Sequence, residues 1–197
     1  MNGYINPPGK INPFIKAGIW IAEKITGKEL LPARVLAWYP KTAIGSGVLE
    51  SLVAHKDKNI SRRLLKLIRV QASFAISCPF CIDMNALDYQ KYGITDEEIK
   101  ALQTMETGNI SSFSKRERIA LEYARSAVTT PISFKESLIK ELKDNFSERE
   151  IVIIASTIAQ VDYWGRLIQA LGLPPAGFSD KCDILNLNNY STLKTGV

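Results

Sequence analysis

The chain has 197 residues, of which 46% are hydrophobic and 23% are charged, the proportions of an ordinary globular protein. This length predicts one domain, or one domain with an extension, and is sufficient to bury a substantial core. The 25 basic and 20 acidic residues give a mild net charge of +5, without the interleaved aromatics or the reading motif of a nucleic-acid-binding surface. We therefore predict no nucleic-acid partner.

The first 30 residues are predicted to form an extension with one helix. The opening stretch MNGYINPPGKINPF has no apolar signal core. In FIKAGIWIAEKITG the apolar run from Ala17 to Ala22 is bounded by charged residues and is too short to span a bilayer. It predicts a helix that lies across the domain or a partner subunit, with no membrane partner. The odd number of cysteines and the absence of a signal favour a cytoplasmic protein.

The following segments show apolar residues at helical spacing, with no alternating strands or hairpin turns. LPARVLAWYPKTAIGSGVLESLVAHK predicts two short helices hinged at Tyr39-Pro40. ISRRLLKLIRVQASFAIS predicts an amphipathic helix, on which Arg62, Lys66 and Arg69 lie three or four apart and share one face. Such a face is typical of a solvated surface or of the neighbourhood of an anionic substrate. The fold class is predicted to be all-α.

Further along the chain, helix start and stop signals are frequent. PFCIDMNALDYQKYG predicts one helix that begins at Pro79 and ends at Gly93. Ser or Thr followed three residues later by Glu, the capping-box pattern, predicts the starts of three helices, at Thr95/Glu98, Ser114/Glu117 and Ser147/Glu150. The last of these helices is predicted to end at Gly172, and SFKESLIKELKDNF predicts a helix before it. Residues 179–197 are predicted to be a polar C-terminal tail.

Two of the three cysteines lie in SCPFC, residues 77–81. Pro79 suits the first position of a helix, so Cys78 is predicted to be the N-cap and Cys81 the third helical residue. Both thiols then lie beside the positive end of the helix dipole, where a thiol pKa of about 8.5 can fall to about 3.5–7.5. Because the thiolate is the nucleophile, this arrangement predicts redox chemistry and a reversible disulfide between the two residues.

Other uses of the cysteine pair are less well supported. A structural zinc site needs four ligands, and only Cys182 and His55 remain as soft candidates, neither in a matching pair. A thioredoxin-like domain needs a strand before the motif, whereas LLKLIRVQASFAIS has the pattern of a helix. Two buried structural thiols remain an open alternative. No metal and no organic cofactor is predicted.

The block LLKLIRVQASFAISCPFCIDMNALDYQKYGITDEEIKAL resembles the core of the carboxymuconolactone decarboxylase superfamily, in its alkylhydroperoxidase D-like, peroxidase-related branch. The similarity continues through FSKRERIALEYARSAV and YWGRLIQALGLPP and covers Leu31 to Pro175. The resemblance implies an all-helical domain over residues 31–178 that assembles as a homotrimer or hexamer. It also implies that Cys81 is the peroxidatic cysteine, that Cys78 resolves it, and that a dithiol or a disulfide-exchange protein is the reductant.

Two positions depart from the family pattern. Members commonly have a glutamate twelve residues before the first cysteine and a histidine four residues after the second, and here these positions hold Lys66 and Asn85. Lysine is normally protonated at neutral pH and asparagine does not titrate, so neither replaces the proton relay. Lys66 could instead favour a thiolate through its charge and Asn85 could hydrogen-bond it, or both could belong to a solvated helix surface. His55, the only histidine, is predicted on the surface.

Three functions follow from these observations. The first is a thiol-dependent peroxidase or disulfide reductase that acts on a small hydroperoxide through the cysteine pair, with an atypical relay. The second is decarboxylation of a lactone, which needs acid–base groups for which the sequence offers no evident histidine. The third is a non-enzymatic oligomeric scaffold that kept the fold and lost the relay.

Overall fold

The computed structural model describes residues 3–55, 57–104, 107 and 112–179, which form nine α-helices and no strand. The prediction of an all-α fold is confirmed. Cys182 and the predicted tail, apart from Ser179, lie outside the described residues. The helices are α1 (Pro13–Thr26), α2 (Leu31–Leu36), α3 (Pro40–Glu50), α4 (Arg62–Ala75), α5 (Pro79–Asn85), α6 (Asp96–Thr104), α7 (Lys115–Ala127), α8 (Glu136–Asn145) and α9 (Glu148–Ala170), with 3₁₀ turns at Ser51–Ala54 and Tyr89–Tyr92.

The predicted helix starts are confirmed by their hydrogen bonds. At α7 and α9 the side chain of the N-cap serine accepts the N–H of the glutamate three residues later, and that glutamate accepts the N–H of the serine. Thr95 and Glu98 make the same reciprocal pair at α6, over 3.2 and 2.9 Å. Each pair satisfies backbone donors that a helix start leaves without an intrahelical partner.

The single helix predicted from Pro79 to Gly93 is wrong. Helix α5 ends at Asn85, and Asp88 has a φ of 55°, in the left-handed region, where an α-helix cannot continue. The 3₁₀ turn Tyr89–Tyr92 follows, and Gly93 closes it with a φ of 70°. Tyr89 is buried and its hydroxyl donates to Asp96 over 2.6 Å. The helix therefore ends before Asp88, where the chain turns and buries the Tyr89 ring.

Helix α4 is the centre of the molecule, since it packs against α5, α6, α7 and α9. One of its faces joins α7, α8 and α9 in a core cluster around Ile68, and the other joins α5, α6 and α7 in a second cluster around Leu67. Both residues are completely buried. Because α4 is packed on two sides, its less buried side chains, such as Lys66, project from a helix whose position is fixed by the core.

Arg63 of α4 ties this helix to α6 and α7 through charge. Its guanidinium donates to Glu98 over 2.6 Å and to Glu117 over 2.8 Å, the same glutamates that close two of the capping boxes. Burial raises the pKa of Glu98, but hydrogen bonds from Arg63, Ser112 and Thr95 outweigh it and hold that pKa below its usual value. The three side chains, Arg63, Glu98 and Glu117, thus form a charged, hydrogen-bonded link between three helices.

Helix α9 is long and apolar enough to cross a membrane by length and composition, with a mean hydropathy of 1.3 over 18 residues. It packs against α4, α7 and α5 within the core, where Ile154, Ile158 and Val161 are buried. A core helix passes the same test of length and hydropathy, so α9 does not indicate a membrane protein.

Candidate active site

The cysteine pair lies at the start of α5, as the sequence predicts. Cys78 is the N-cap, and its sulfur accepts a hydrogen bond from the N–H of Cys81 over 3.2 Å. The two sulfur atoms form a disulfide, with the Cα atoms 5.2 Å apart. Cys78 is completely buried and Cys81 is 3% exposed. A three-residue spacing at a helix start therefore gives a bonded pair of buried cysteines, of which Cys81 retains slightly more exposed surface.

Apolar residues from distant parts of the chain surround the pair. The cluster that contains both cysteines also contains Val35 of α2, Ile168 of α9 and Phe178 from the segment after α9. The ring of Phe178 meets Phe80 edge to face, with centroids 6.0 Å apart. The cysteine pair is thus sheltered from bulk water by residues from near both ends of the described chain.

Lys66 lies in a pocket beside this cluster. Its ammonium donates to the carbonyl oxygen of Leu87 over 2.7 Å and lies 5.3 Å from the centre of the Tyr92 ring. Burial is the main cause that lowers the pKa of Lys66 to about 8, and the nearby charge of Arg69 lowers it further, while Asp88 partly offsets both. Lys66 is therefore partly desolvated and does not belong to a freely solvated helix face.

The pocket has a volume of about 490 Å³, and its apolar wall includes Met84 and Leu87. Both residues also pack against the cluster of Cys78 and Cys81. Met84 follows Cys81 by three residues on α5, so the two side chains lie on neighbouring positions of one helix face. The pocket therefore adjoins the apolar cluster that contains the cysteine pair.

Asn85 is held against α4. Its side-chain N–H donates to the hydroxyl of Ser73 over 3.0 Å, and that hydroxyl donates to the carbonyl oxygen of Arg69 over 2.8 Å. Ser73 is completely buried. A serine among apolar helix residues gives no signal of its own, so the sequence does not single out Ser73.

A second polar group without a signal in the sequence centres on Glu50 at the end of α3. Its carboxylate accepts hydrogen bonds from Gln160 and Trp164 of α9, both over 2.8 Å. Burial lowers the pKa of Arg69, while the charges of Glu50 and Tyr92 act to raise it. Nothing in the local sequence pattern around Glu50 indicates that its side chain contacts α9.

His55 differs from its predicted surface position, since it is half-buried. Burial and the charge of Arg69 lower its pKa. Within the described residues no three His, Cys, Asp or Glu side chains come together in the way that a metal site requires.

Comparison with curated proteins finds distant relatives. The chain is 28% identical to YdfG of Bacillus subtilis (strain 168) over 118 residues, which cover 59% of this chain and 79% of that protein. It is 23% identical to YnjA of Escherichia coli (strain K12) over 172 residues, which cover 87% of this chain and 93% of that protein. No family model matches the chain.

Solved structures resemble it more closely in fold than in sequence. The ligand-free debrominase Bmp8 is 21% identical with a TM-score of 0.78, over 94% of this chain and 99% of that one. A cysteine-to-alanine variant of Bmp8 with 2,3,4-tribromopyrrole gives a TM-score of 0.77 at the same identity, over 94% and 97% of the two chains. A peroxidase-related protein with the alkylhydroperoxidase AhpD core, from Ralstonia eutropha JMP134, is 16% identical with a TM-score of 0.74, over 94% and 96%. The chain therefore has the alkylhydroperoxidase D-like fold.

Proposed function

We propose that this protein is a thiol-dependent peroxidase of the alkylhydroperoxidase D-like branch, which works in the cytoplasm as a homo-oligomer. The observation that carries the proposal is the bonded Cys78–Cys81 pair at the start of α5, beside a pocket. The fold shared with peroxidase-related proteins supports it. The substrate is a small hydroperoxide, and the reductant is a dithiol or a disulfide-exchange protein.

The reduced pair carries out the reaction in two steps. The Cys81 thiolate attacks the terminal peroxide oxygen, the O–O bond breaks, and the departing alkoxide takes up a proton to leave as the alcohol, with Cys81 as a sulfenic acid. The Cys78 sulfur then attacks the Cys81 sulfur and displaces hydroxide, which leaves as water with the proton of the Cys78 thiol. An external dithiol reduces the disulfide by exchange. One hydroperoxide and one dithiol thus give one alcohol, one water and one disulfide.

The local backbone supports this chemistry. In the structure the Cys81 N–H donates to the Cys78 sulfur, and because Pro79 has no N–H and Ile82 donates to the Cys78 carbonyl oxygen, Phe80 has the other donor of the first turn of α5. These donors stabilise negative charge on the pair in its reduced state. Cys81 is given the attacking role because it is the less buried of the two and because the family resemblance implies it.

The test is the second-order rate of thiol oxidation by cumene hydroperoxide, measured in a Cys182→Ser background so that only the pair reacts. The expected rate is well above that of a free thiol, and mass mapping is expected to find the 78–81 bridge. Cys81→Ser should abolish the reaction, whereas Cys78→Ser should retain one oxidation but not turnover. A rate no faster than a free thiol contradicts the proposal and favours the scaffold, and turnover of a lactone favours the decarboxylase.

Reductive debromination is a second candidate. The specific observation in its favour is the likeness to Bmp8, which extends over 94% of this chain. In such a reaction two thiols and an aryl bromide give the arene, a disulfide and hydrogen bromide, so the same cysteine pair would supply both electrons. Bromide release from 2,3,4-tribromopyrrole, measured beside peroxide reduction, separates the two functions.

A further inference from the structure

The pocket beside the cysteine pair is strongly basic. Four of its lining residues are cationic and one is a carboxylate, so the lining has a net charge of +3. The cations are Arg62, Arg63, Lys66 and Lys91, and the carboxylate is Asp88. The remaining wall is apolar or aromatic, with Met84, Leu87 and Tyr92. A concave site with an apolar wall and a few convergent charges is typical of a ligand pocket.

Two of these cations already have carboxylate partners. Arg63 is bonded to Glu98 and Glu117, and Lys91 pairs with Asp88 over 2.7 Å. These ion pairs hold the two cationic side chains in place. Because each positive charge is already neutralised by a carboxylate, Arg63 and Lys91 attract an anionic ligand only weakly.

Lys66 and Arg62 have no such partner. Across the part of the chain that the structure describes, no carboxylate oxygen lies within 4.0 Å of either side chain's nitrogen atoms. Lys66 uses one of its three donors on the Leu87 carbonyl oxygen. Its remaining donors are available to a ligand.

An ammonium in this position destabilises the fold unless something neutralises it. Lys66 is partly buried, next to Arg69, and its pKa falls to about 8 as a result. A buried charge is normally paired, and a strongly perturbed group in a cleft is more common at functional sites than elsewhere. A bound anion would supply the missing counter-ion.

The pocket and the cluster that contains the cysteines share two residues. Met84 and Leu87 line the pocket and also pack against the cluster of Cys78 and Cys81. Both side chains are partly buried. A molecule whose anionic end contacts Lys66 and whose apolar body follows Met84 would direct its far end toward the start of α5. The volume of about 490 Å³ lies within the range of roughly 300–1,000 Å³ that small-molecule pockets have.

We propose that this pocket binds a carboxylate through Lys66 and Arg62, so that the preferred substrates of the cysteine pair are hydroperoxides of organic acids with an apolar body. The substrate preference rests on the proposed peroxidase function, but the anion site does not.

The binding test uses unreactive probes, 4-isopropylbenzoate and its neutral counterpart 4-isopropylbenzamide, in calorimetric titrations of the disulfide form. The benzoate is expected to bind at least about tenfold more tightly than the amide, the factor that one favourable charge contact contributes. Lys66→Met should remove this preference, and Lys66→Arg, which keeps the charge, should retain most of it. Lys140→Met is the matched control, because Lys140 is an exposed lysine paired with Asp144 on α8.

Three results would overturn the anion site: no binding of the benzoate, equal binding of benzoate and amide, or unchanged binding in Lys66→Met. A loss of the preference in Lys140→Met would also overturn it, since the effect would then follow net charge and not the pocket.

The kinetic test compares cumene hydroperoxide with the same molecule carrying a para carboxylate. The acid is expected to react at least about tenfold faster in the natural protein, and Lys66→Met should bring the two rates together. If the benzoate binds but neither hydroperoxide reacts faster than with a free thiol, the peroxidase function fails and the anion site stands. If both react rapidly at equal rates, whatever the residue at position 66, the function stands and the substrate preference is wrong.

Discussion

Asp83 accepts a hydrogen bond from the backbone N–H of Phe178 over 3.0 Å, across 95 residues of sequence. The same carboxylate accepts the N–H of Ala176 over 3.1 Å and that of Ser179 over 2.8 Å, and it is only 3% exposed. Phe178 belongs to the same apolar cluster as Cys78 and Cys81, so this contact holds the segment after α9 against the cysteine pair. Asp83 thus fixes the part of the shelter that comes from after α9.

Replacing Asp83 with asparagine should open this shelter. The amide keeps one acceptor oxygen, and its NH₂ group faces backbone donors, so at least one of the three hydrogen bonds is lost. We expect the free energy of unfolding to fall by about 2–3 kcal/mol. In reduced protein with Cys182→Ser, alkylation of Cys81 by iodoacetamide should become faster, as measured by mass spectrometry.

Asp162→Asn is the control for this change, because Asp162 makes only an exposed pair with Arg166 one turn along α9. Loss of that pair should cost less than about 1 kcal/mol and leave alkylation unchanged. Equal alkylation rates in Asp83→Asn and the natural protein would mean that the segment does not protect the pair.

The stability of the protein should depend on the protonation of Lys66. Its pKa is about 8 in the folded state against 10.5 as its usual value, so between these two pH values the unfolded chain binds more protons. Stability of the natural protein should therefore rise from pH 8 to pH 10.5 relative to Lys66→Met, by up to about 3 kcal/mol. Denaturant titrations of both proteins at several pH values measure this difference.

Below pH 8 the full penalty of the buried ammonium applies, so the difference between the two proteins should become constant there. Lys140→Met again serves as the control and should show no comparable rise with pH. A pH-independent difference between the natural protein and Lys66→Met would mean that Lys66 is well solvated.

The two positions that depart from the family pattern should act as a unit. Lys66→Glu alone reverses the charge at this position, and Asn85→His alone replaces the amide that donates to Ser73 and has no acidic partner. Together they introduce the glutamate and histidine that the family resemblance assigns to the relay. We expect the double variant to gain more peroxidase rate than the two single changes multiplied together.

The measured quantity is the second-order rate with cumene hydroperoxide and one dithiol donor, in all four proteins. This neutral substrate avoids the effect of Lys66 on anions. Purely multiplicative single effects, or no gain in the double variant, would show that the two positions do not form a relay in this chain.

Assembly into a closed homo-oligomer is expected from the family resemblance together with the apolar surface of α1 and α3. Phe14, Trp20 and Ile25 of α1 are 88%, 59% and 80% exposed, and Ile44 and Val48 of α3 are 61% and 67% exposed. Apolar surface on this scale is typical of an interaction site. Sedimentation should find a trimer or hexamer, and Trp20→Glu with Ile25→Glu should reduce the mass toward a monomer.

Ile132→Glu is the control for the assembly, since Ile132 is 62% exposed but lies in the loop between α7 and α8. It should leave the mass unchanged. A natural protein that sediments as a monomer at micromolar concentration would be evidence against this interface.

The sequence alone determined the helical class, most helix starts and the cysteine pair. These features depend on residues three or four apart, such as Ser114 with Glu117 or Cys78 with Cys81, whose contacts form within a single turn. The periodic burial along α4 is local in the same sense, since each turn repeats the apolar pattern of the previous one.

Only the tertiary structure decided where α5 stops, how Lys66 is placed and what covers the cysteines. The turn at Asp88 depends on burial of Tyr89, the low pKa of Lys66 depends on its desolvated surroundings, and the Asp83 contact joins α5 to a segment 95 residues away. Each of these three features depends on groups from distant parts of the chain that packing brings together, so no local period or spacing in the sequence encodes them.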